Sequence, residues 1–167
     1  MSAHNTRIGH GLDVHRFAAT FDPQKPLILA GVQLEDKLSL LAHSDGDVVL
    51  HAVCDALLGA IGAGDIGQHF PDTSAEYKNA DSAQLLKVVM ELVAKKGGTL
   101  INCDVTLVAQ VPKVAKHREA MRARLSAVLG IESERVNIKA TTTEGLGYIG
   151  RAEGIACHAV VLVYCNT

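Results

Sequence analysis

Two short segments constrain this chain most: Asp13-Val14-His15, and the run His43-Ser44-Asp45-Gly46-Asp47-Val48-Val49-Leu50-His51 further along. In an extended strand successive side chains alternate, so Asp13 and His15 point to one face. His10 falls out of phase with them. In a helix, Asp47, His51 and Asp55 stack at i, i+4 and i+8. A fold that lays such a strand on such a helix unites Asp13, His15 and His51 as a two-histidine, one-carboxylate set. That set suits zinc with a fourth coordination position left open, and an open position belongs to catalysis more often than to structure. Asp47 and Asp55, one turn either side of His51, are expected to orient its imidazole. Val48, Val49, Leu50, Ala52 and Val53 surround His51 with apolar groups, where an unpartnered imidazole would be costly. The plainer alternative is three ordinary polar residues satisfied by backbone.

The rest of the chain narrows the class. Its 167 residues, 17.7 kDa, suit one domain spanning 1–167, with a 48% hydrophobic content ample for a core. Aromatics are 4% with no Trp, so Leu, Val, Ile and Ala must build that core. Sixteen Lys plus Arg oppose eighteen Asp plus Glu, without the clustered basic face that nucleic acid requires. The apolar runs fall short of the ~18–20 residues that span a bilayer. The first seven residues lack the apolar stretch of a signal peptide. Cys54, Cys103, Cys157 and Cys165 form no CxxC pair and read as buried thiols in a reducing compartment. The expected location is a reducing compartment such as the cytoplasm.

Periodicity predicts strands at 7–16, 27–34, 99–110, 136–143 and 153–164. Helices are predicted at 47–61, capped by Ser44 or Asp45, from Asp81 or Ser82 to Lys96, and at 115–129. Between the first two helices lies a polar loop, 64–73, that carries Phe70. The β-β-α-α-β-α-β-β order argues an α/β (α+β) sandwich: a mixed sheet with helices on one face. The other sheet face then needs cover, which a symmetric oligomer can supply.

Two further segments carry chemistry. His43 and Ser44 precede a helix start, where free N–H groups and partial positive charge favour phosphate. Simple N-capping by Ser44 fits the spacing equally well. In Ala140-Thr141-Thr142-Thr143-Glu144, Thr142 and Glu144 share one strand face. A hydroxyl beside a carboxylate suits phosphate plus a hard divalent cation; a solvated threonine edge is the alternative. Gly145, Gly147 and Gly150 permit close backbone approach but form no Walker-type loop.

Taken in order, these motifs resemble the 2-C-methyl-D-erythritol 2,4-cyclodiphosphate synthase family of non-mevalonate isoprenoid (terpenoid) biosynthesis. The resemblance runs over residues 7–164. It rests on Arg7 to His15, on Ala42 to Asp47 and on to His51, on Gly64 to Gly67 with Phe70 to Thr73, on Ala109 to Lys113, and on Lys139 to Glu144 with Gly150-Arg151.

The resemblance implies Asp13, His15 and His51 as zinc ligands and His43 and Ser44 as contacts to substrate phosphates. It implies Asp65, Gly67 and Phe70, with Asp72 beside them, at the methylerythritol end. Ala109, Pro112, Lys113, Ala140 and Thr141 would form a cytidine pocket contributed by a neighbouring subunit. Thr142 and Glu144 would meet phosphate and a second divalent ion, Mg2+ or Mn2+. His43, Asp47, Thr142 and Glu144 form the expected catalytic set. The implied assembly is a homotrimer whose sheets pack around a threefold axis, with active sites between subunits. Arg151, counted among the substrate-binding residues, and Glu153 would line that axis. There they either meet an isoprenoid diphosphate or only satisfy each other.

The implied enzyme is a metal-dependent phosphorus–oxygen lyase. The 2-phosphate of its cytidine diphosphate substrate attacks the β-phosphorus and CMP leaves. Positioning and charge neutralisation would carry the rate. A zinc phosphohydrolase and a non-catalytic nucleotide-binding trimer are the ranked alternatives. Gly145 stands where many relatives carry lysine. Val114-Ala115 is a smaller pair than the usual bulky one, which predicts a roomier nucleotide pocket.

Overall fold

A computed structural model of the chain describes residues 5–71, 73, 74, 77 and 80–166. The first strand, β1 (Thr6–Phe17), is followed by two-residue strands β2 (Ile28–Leu29), β3 (Val32–Gln33) and β4 (Leu40–Leu41). Helix α1 (Val48–Ala60), a short α2 (Ile66–His69) and α3 (Ser82–Lys95) come next. Strand β5 (Gly98–Val108) leads through a 3-10 turn at Val114–His117 into α4 (Arg118–Leu129). Then come β6 (Val136–Thr141), a short α5 (Gly147–Gly150) and the last strand β7 (Gly154–Cys165).

The main sheet runs β4-β1-β7-β5-β6. Only β5 and β6 are parallel, as their crossover through α4 requires; the other neighbours are antiparallel. The sheet is therefore mixed. Helices α1, α3 and α4 cover one face of it, α1 against β1 and β7, α3 against β5 and α4 against β6. Ile155, Cys157, Ala159, Val161 and Val163 on β7 are wholly buried beneath them.

Two glycines bring β1 and α1 together. A Cβ on Gly9 would lie 1.7 Å from the Ala56 carbonyl oxygen, and one on Gly11 1.9 Å from that of Ala52. Helix α1 thus lies directly on the β1 backbone, which any larger residue would push away. Gly9, Gly11, Asp13 and His15 alternate onto the same face, so the strand runs from backbone contact into the ligand pair.

Several boundaries differ from expectation. The single strand expected at 27–34 is a small hairpin, β2–β3, turning at Ala30-Gly31. Both turn residues are left-handed (φ 52 and 72°), as a two-residue hairpin loop demands. The strand expected to reach residue 143 ends at Thr141, so Thr142 and Glu144 are not alternating strand residues. Asp47, rather than Ser44 or Asp45, caps α1. No helix among the described residues is long and apolar enough to cross a membrane.

Candidate metal centre and substrate cleft

Asp13 and His15 leave β1 on its inner face, and His51 meets them from α1. Asp13 Oδ2 lies 2.9 Å from His15 Nε2 and 3.0 Å from His51 Nδ1, and the two imidazole nitrogens are 3.2 Å apart. Among the described residues this is the one group of three side chains spaced to hold a metal ion. The side chains are 25%, 17% and 12% exposed, so an ion held there would keep one side open to the cleft. Burial raises the Asp13 carboxyl, but hydrogen bonds and charge from His15 and His51 outweigh it and hold the group well below its usual range. Burial lowers the His51 imidazole, and Asp13 outweighs that too, leaving it raised.

The far side of His51 is organised by residues the sequence reading did not single out for it. Its Nε2 is 2.8 Å from Ser82 Oγ and 3.2 Å from Ser44 Oγ. Ser82, wholly buried at the start of α3, donates its hydroxyl to Asp45 Oδ1 at 2.5 Å, and its N–H to Asp45 Oδ2 at 2.9 Å. A carboxylate only accepts, so the Ser82 oxygen is left to accept from Nε2–H. In the metal-free cluster a protonated His51 also donates Nδ1–H to Asp13; when a metal displaces that proton, the Nε2–H bond to Ser82 leaves the Nδ1 lone pair facing Asp13 and His15, the form a metal ligand needs.

Asp47 and Asp55 do other work than expected. Asp47 is fully buried and accepts from Ala30 N (2.9 Å), Gly31 N (2.6 Å), Val49 N and Leu50 N (3.1 Å each). It caps α1 and pins the β2–β3 turn, so it does not orient His51 and is not among the groups at the cleft. Burial pushes its carboxyl up to about 6, against the pull of those N–H groups. Because Asp47 occupies the N–H groups of Val49 and Leu50, the helix start does not offer them to phosphate. Asp55 does line the cleft, and its Oδ1 accepts from Ile66 N at 2.7 Å. It therefore ties the 64–70 segment to the metal-bearing helix. Burial raises its carboxyl as well.

The cleft itself, about 170 Å3, joins Asp13, His15 and His51 to His43, Ser44, Gly67 and Phe70. Phe70 packs edge-on against Tyr77, with ring centroids 5.4 Å apart. Asp65 caps α2 through Gln68 N (3.0 Å) and holds the Gln68 amide. Asp72 lies outside the described residues.

A second pocket lies apart from the first and shares no lining residue with it. Ala109, Pro112, Lys113, Ala140, Thr141 and Thr142 line it, with Val114 and Ala115. Just beyond β6, Thr142 Oγ1 donates to Glu144 Oε1 at 2.9 Å and accepts from Glu144 N at 3.3 Å. The two meet through a turn rather than through strand alternation. Glu144 sits in the left-handed region (φ 53°), which a non-glycine residue adopts at a cost. A Cβ on Gly150 would fall 2.1 Å from the Gly145 carbonyl carbon, so this turn is closed by backbone contact. Arg151 Nε donates to Glu153 Oε1 at 2.6 Å on an exposed surface. All four cysteines are free and buried, and none lines either pocket.

A family model described as the YgbB family matches residues 6–164. The chain belongs to the YgbB family. Among relatives of that family, 2-C-methyl-D-erythritol 2,4-cyclodiphosphate synthase of Nitrosococcus oceani is 59% identical over 157 residues, covering 94% of this chain and 97% of the relative. The enzyme of that name from Shewanella baltica is also 59% identical, with 94% and 95% covered. Solved structures agree. IspF of Plasmodium falciparum, in a CDP complex, superposes with TM-score 0.84 at 36% identity, over 99% of this chain and 100% of that one. The bifunctional IspDF of Campylobacter jejuni superposes with TM-score 0.90 at 45% identity. There the match covers 96% of this chain and 42% of the longer one.

Proposed function

We propose that this chain closes 4-diphosphocytidyl-2-C-methyl-D-erythritol 2-phosphate into 2-C-methyl-D-erythritol 2,4-cyclodiphosphate, releasing CMP, as a phosphorus–oxygen lyase of isoprenoid biosynthesis. The observation that carries this reading is the Asp13/His15/His51 cluster opening on the cleft in a chain so close to enzymes of that name. The donor set fits zinc: two imidazole nitrogens and one carboxylate oxygen within 3.2 Å of one another. A zinc ion held there supplies Lewis-acid polarisation of a phosphate oxygen.

The chain's own residues do the rest. His43 and Ser44 stand at the cleft beside the ligands and bind the substrate phosphates. Gly67, Phe70, Asp65 and Asp72 receive the methylerythritol end, on a segment anchored by Asp55. Ala109, Pro112, Lys113, Ala140 and Thr141 receive cytidine, in keeping with CDP in the Plasmodium falciparum structure. Thr142 orients Glu144, which would hold a second divalent ion, magnesium or manganese, to supply charge neutralisation. Because the reaction is intramolecular, holding the 2-phosphate oxygen in line with the β-phosphorus does most of the work. No side chain needs to become a covalent nucleophile.

The two pockets are separate within one chain, which favours a homotrimer in which the cytidine pocket of one copy faces the metal cleft of the next. The uncovered face of the sheet supports the same assembly. It exposes Ile8 (71%), Leu12 (48%), Val14 and Val160, a patch that a monomer rarely leaves open. We read residues 1–167 as a single catalytic unit and place it in the bacterial cytoplasm. Arg151, already paired with Glu153, is a polar group at the proposed axis, where an isoprenoid diphosphate would compete for it.

Phosphorus NMR of the product tests the reading. A cyclic diphosphate plus CMP, lost on chelation and restored by zinc, is expected. A linear methylerythritol phosphate would make the chain a hydrolase instead.

A further inference from the structure

The uncovered face of the sheet carries a second imidazole pair. His10 leaves β1 and His158 leaves β7, both toward the side opposite the helices. In register His10 faces Val160 and His158 faces Leu12, so the histidines are diagonal neighbours across the two strands. His10 Nε2 lies 3.1 Å from His158 Nδ1, with ring centroids 5.3 Å apart. The distances match those of the Asp13/His15/His51 cluster, where the Nε2 of another β1 histidine, His15, lies 3.2 Å from the Nδ1 of His51 with centroids 5.4 Å apart, though the rings are inclined by 30° here and 64° there.

That spacing is a metal bite. Two nitrogens each ~2.0–2.1 Å from one zinc ion stand about 2.9 Å apart at a right angle and about 3.4 Å apart at the tetrahedral angle. The pair falls within that interval, and both nitrogens sit on rigid central strands rather than loops. Ile8, Leu12 and Val160 surround them, so little polar protein competes for the two lone pairs. Asp104, opposite Val160 on the neighbouring strand, is taken by Asn137 and Lys139.

We propose that His10 and His158 form a second metal site, chelating a borderline divalent transition-metal ion such as zinc on the sheet face away from the active centre. Imidazole nitrogen suits zinc, copper and nickel over magnesium or calcium. Among the described residues no third ligand of the usual kinds completes the pair, so water fills the remaining positions. The site binds more weakly than Asp13/His15/His51 for that reason. Its occupancy is one ion per chain. The site does not depend on the proposed activity.

The test is a calorimetric titration of the metal-stripped full chain with zinc. Wild type is expected to show two classes of site. His10→Gln and His158→Gln each remove the weaker class, while the tighter class and product formation persist. The loss should exceed the ~10–100-fold that an outer-shell substitution costs a metal site. Imidazole NMR of wild type needs no variant: the second zinc addition should move the His10 and His158 signals after His15 and His51 have already shifted. A single class of site in wild type overturns the proposal, as does a weaker class that survives both substitutions. Either result leaves an imidazole–imidazole hydrogen bond only.

Discussion

At the metal end of the cleft, Asp13, His15 and His51 sit on two elements packed backbone to backbone through Gly9 and Gly11. Each ligand atom already touches another, and Ser82 with Asp45 holds the back of His51. At the nucleotide end, Glu144 stands exposed on a turn, touching Thr142 alone of the proposed group. Lys113 and Thr141 are exposed beside it. One chain completes the first region and only begins the second. The difference is what the proposed homotrimer needs: burial and mutual satisfaction mark what one chain builds by itself, and exposed polar groups around an apolar pocket are the surface that a second copy would complete.

Substitutions at the two ends should separate along that line. Asp13→Ala is expected to have the largest effect, a fall in kcat/KM of more than about 10³-fold, above what one preorganised donor usually contributes. Zinc content measured on the purified variant should fall with it; full metal retention would break the contrast. Glu144→Gln should lower kcat by about 10²–10³-fold while zinc content stays at the wild-type level. Because Glu144 is exposed, the unfolding free energy read from urea should stay within the ~0.5 kcal/mol of an ordinary surface change.

Asp47→Ala acts on the scaffold of the completed region. Stripping the acceptor from four N–H groups should cost about 3 kcal/mol of folding stability, read from denaturant unfolding. Ser82→Ala should weaken zinc binding ~10–100-fold in a chelator competition while the fold persists. Unchanged affinity would show that Ser82 does not set the His51 tautomer.

The smallest effect is a pH dependence in the metal-free chain. Asp13 is lowered in the folded state, so its stabilisation is present above the ordinary carboxylate value of ~3.9 and is lost as pH falls through the native one. His51 is raised, so its stabilisation is present below ~6.5 and is lost as pH rises through the native value. The stability difference between wild type and Asp13→Asn should therefore be greatest between about pH 4 and 6.5 and shrink on both sides. A flat difference across that window would mean the cluster is not electrostatically bound without its metal.

The meeting of Asp13, His15 and His51 was legible from sequence, because strand and helix periods fix which side chains share a face. Asp13 and His15 at i and i+2, and His51 inside an apolar helix, needed only that the two elements touch. The mixed sheet with helices on one face followed from element order for the same reason. The partners of those ligands were not legible. Asp47 and Asp55 had the right helical spacing to serve His51, yet the first closes a hairpin turn and the second anchors a loop. Ser82, thirty-one residues beyond His51, does the orienting instead.

A repeating pattern thus determined which residues point inward, since backbone geometry is local. The choice among acceptors, donors and open edges belonged to the tertiary structure, since hydrogen-bond partners are selected by distances of about 3 Å between atoms that chain spacing leaves free.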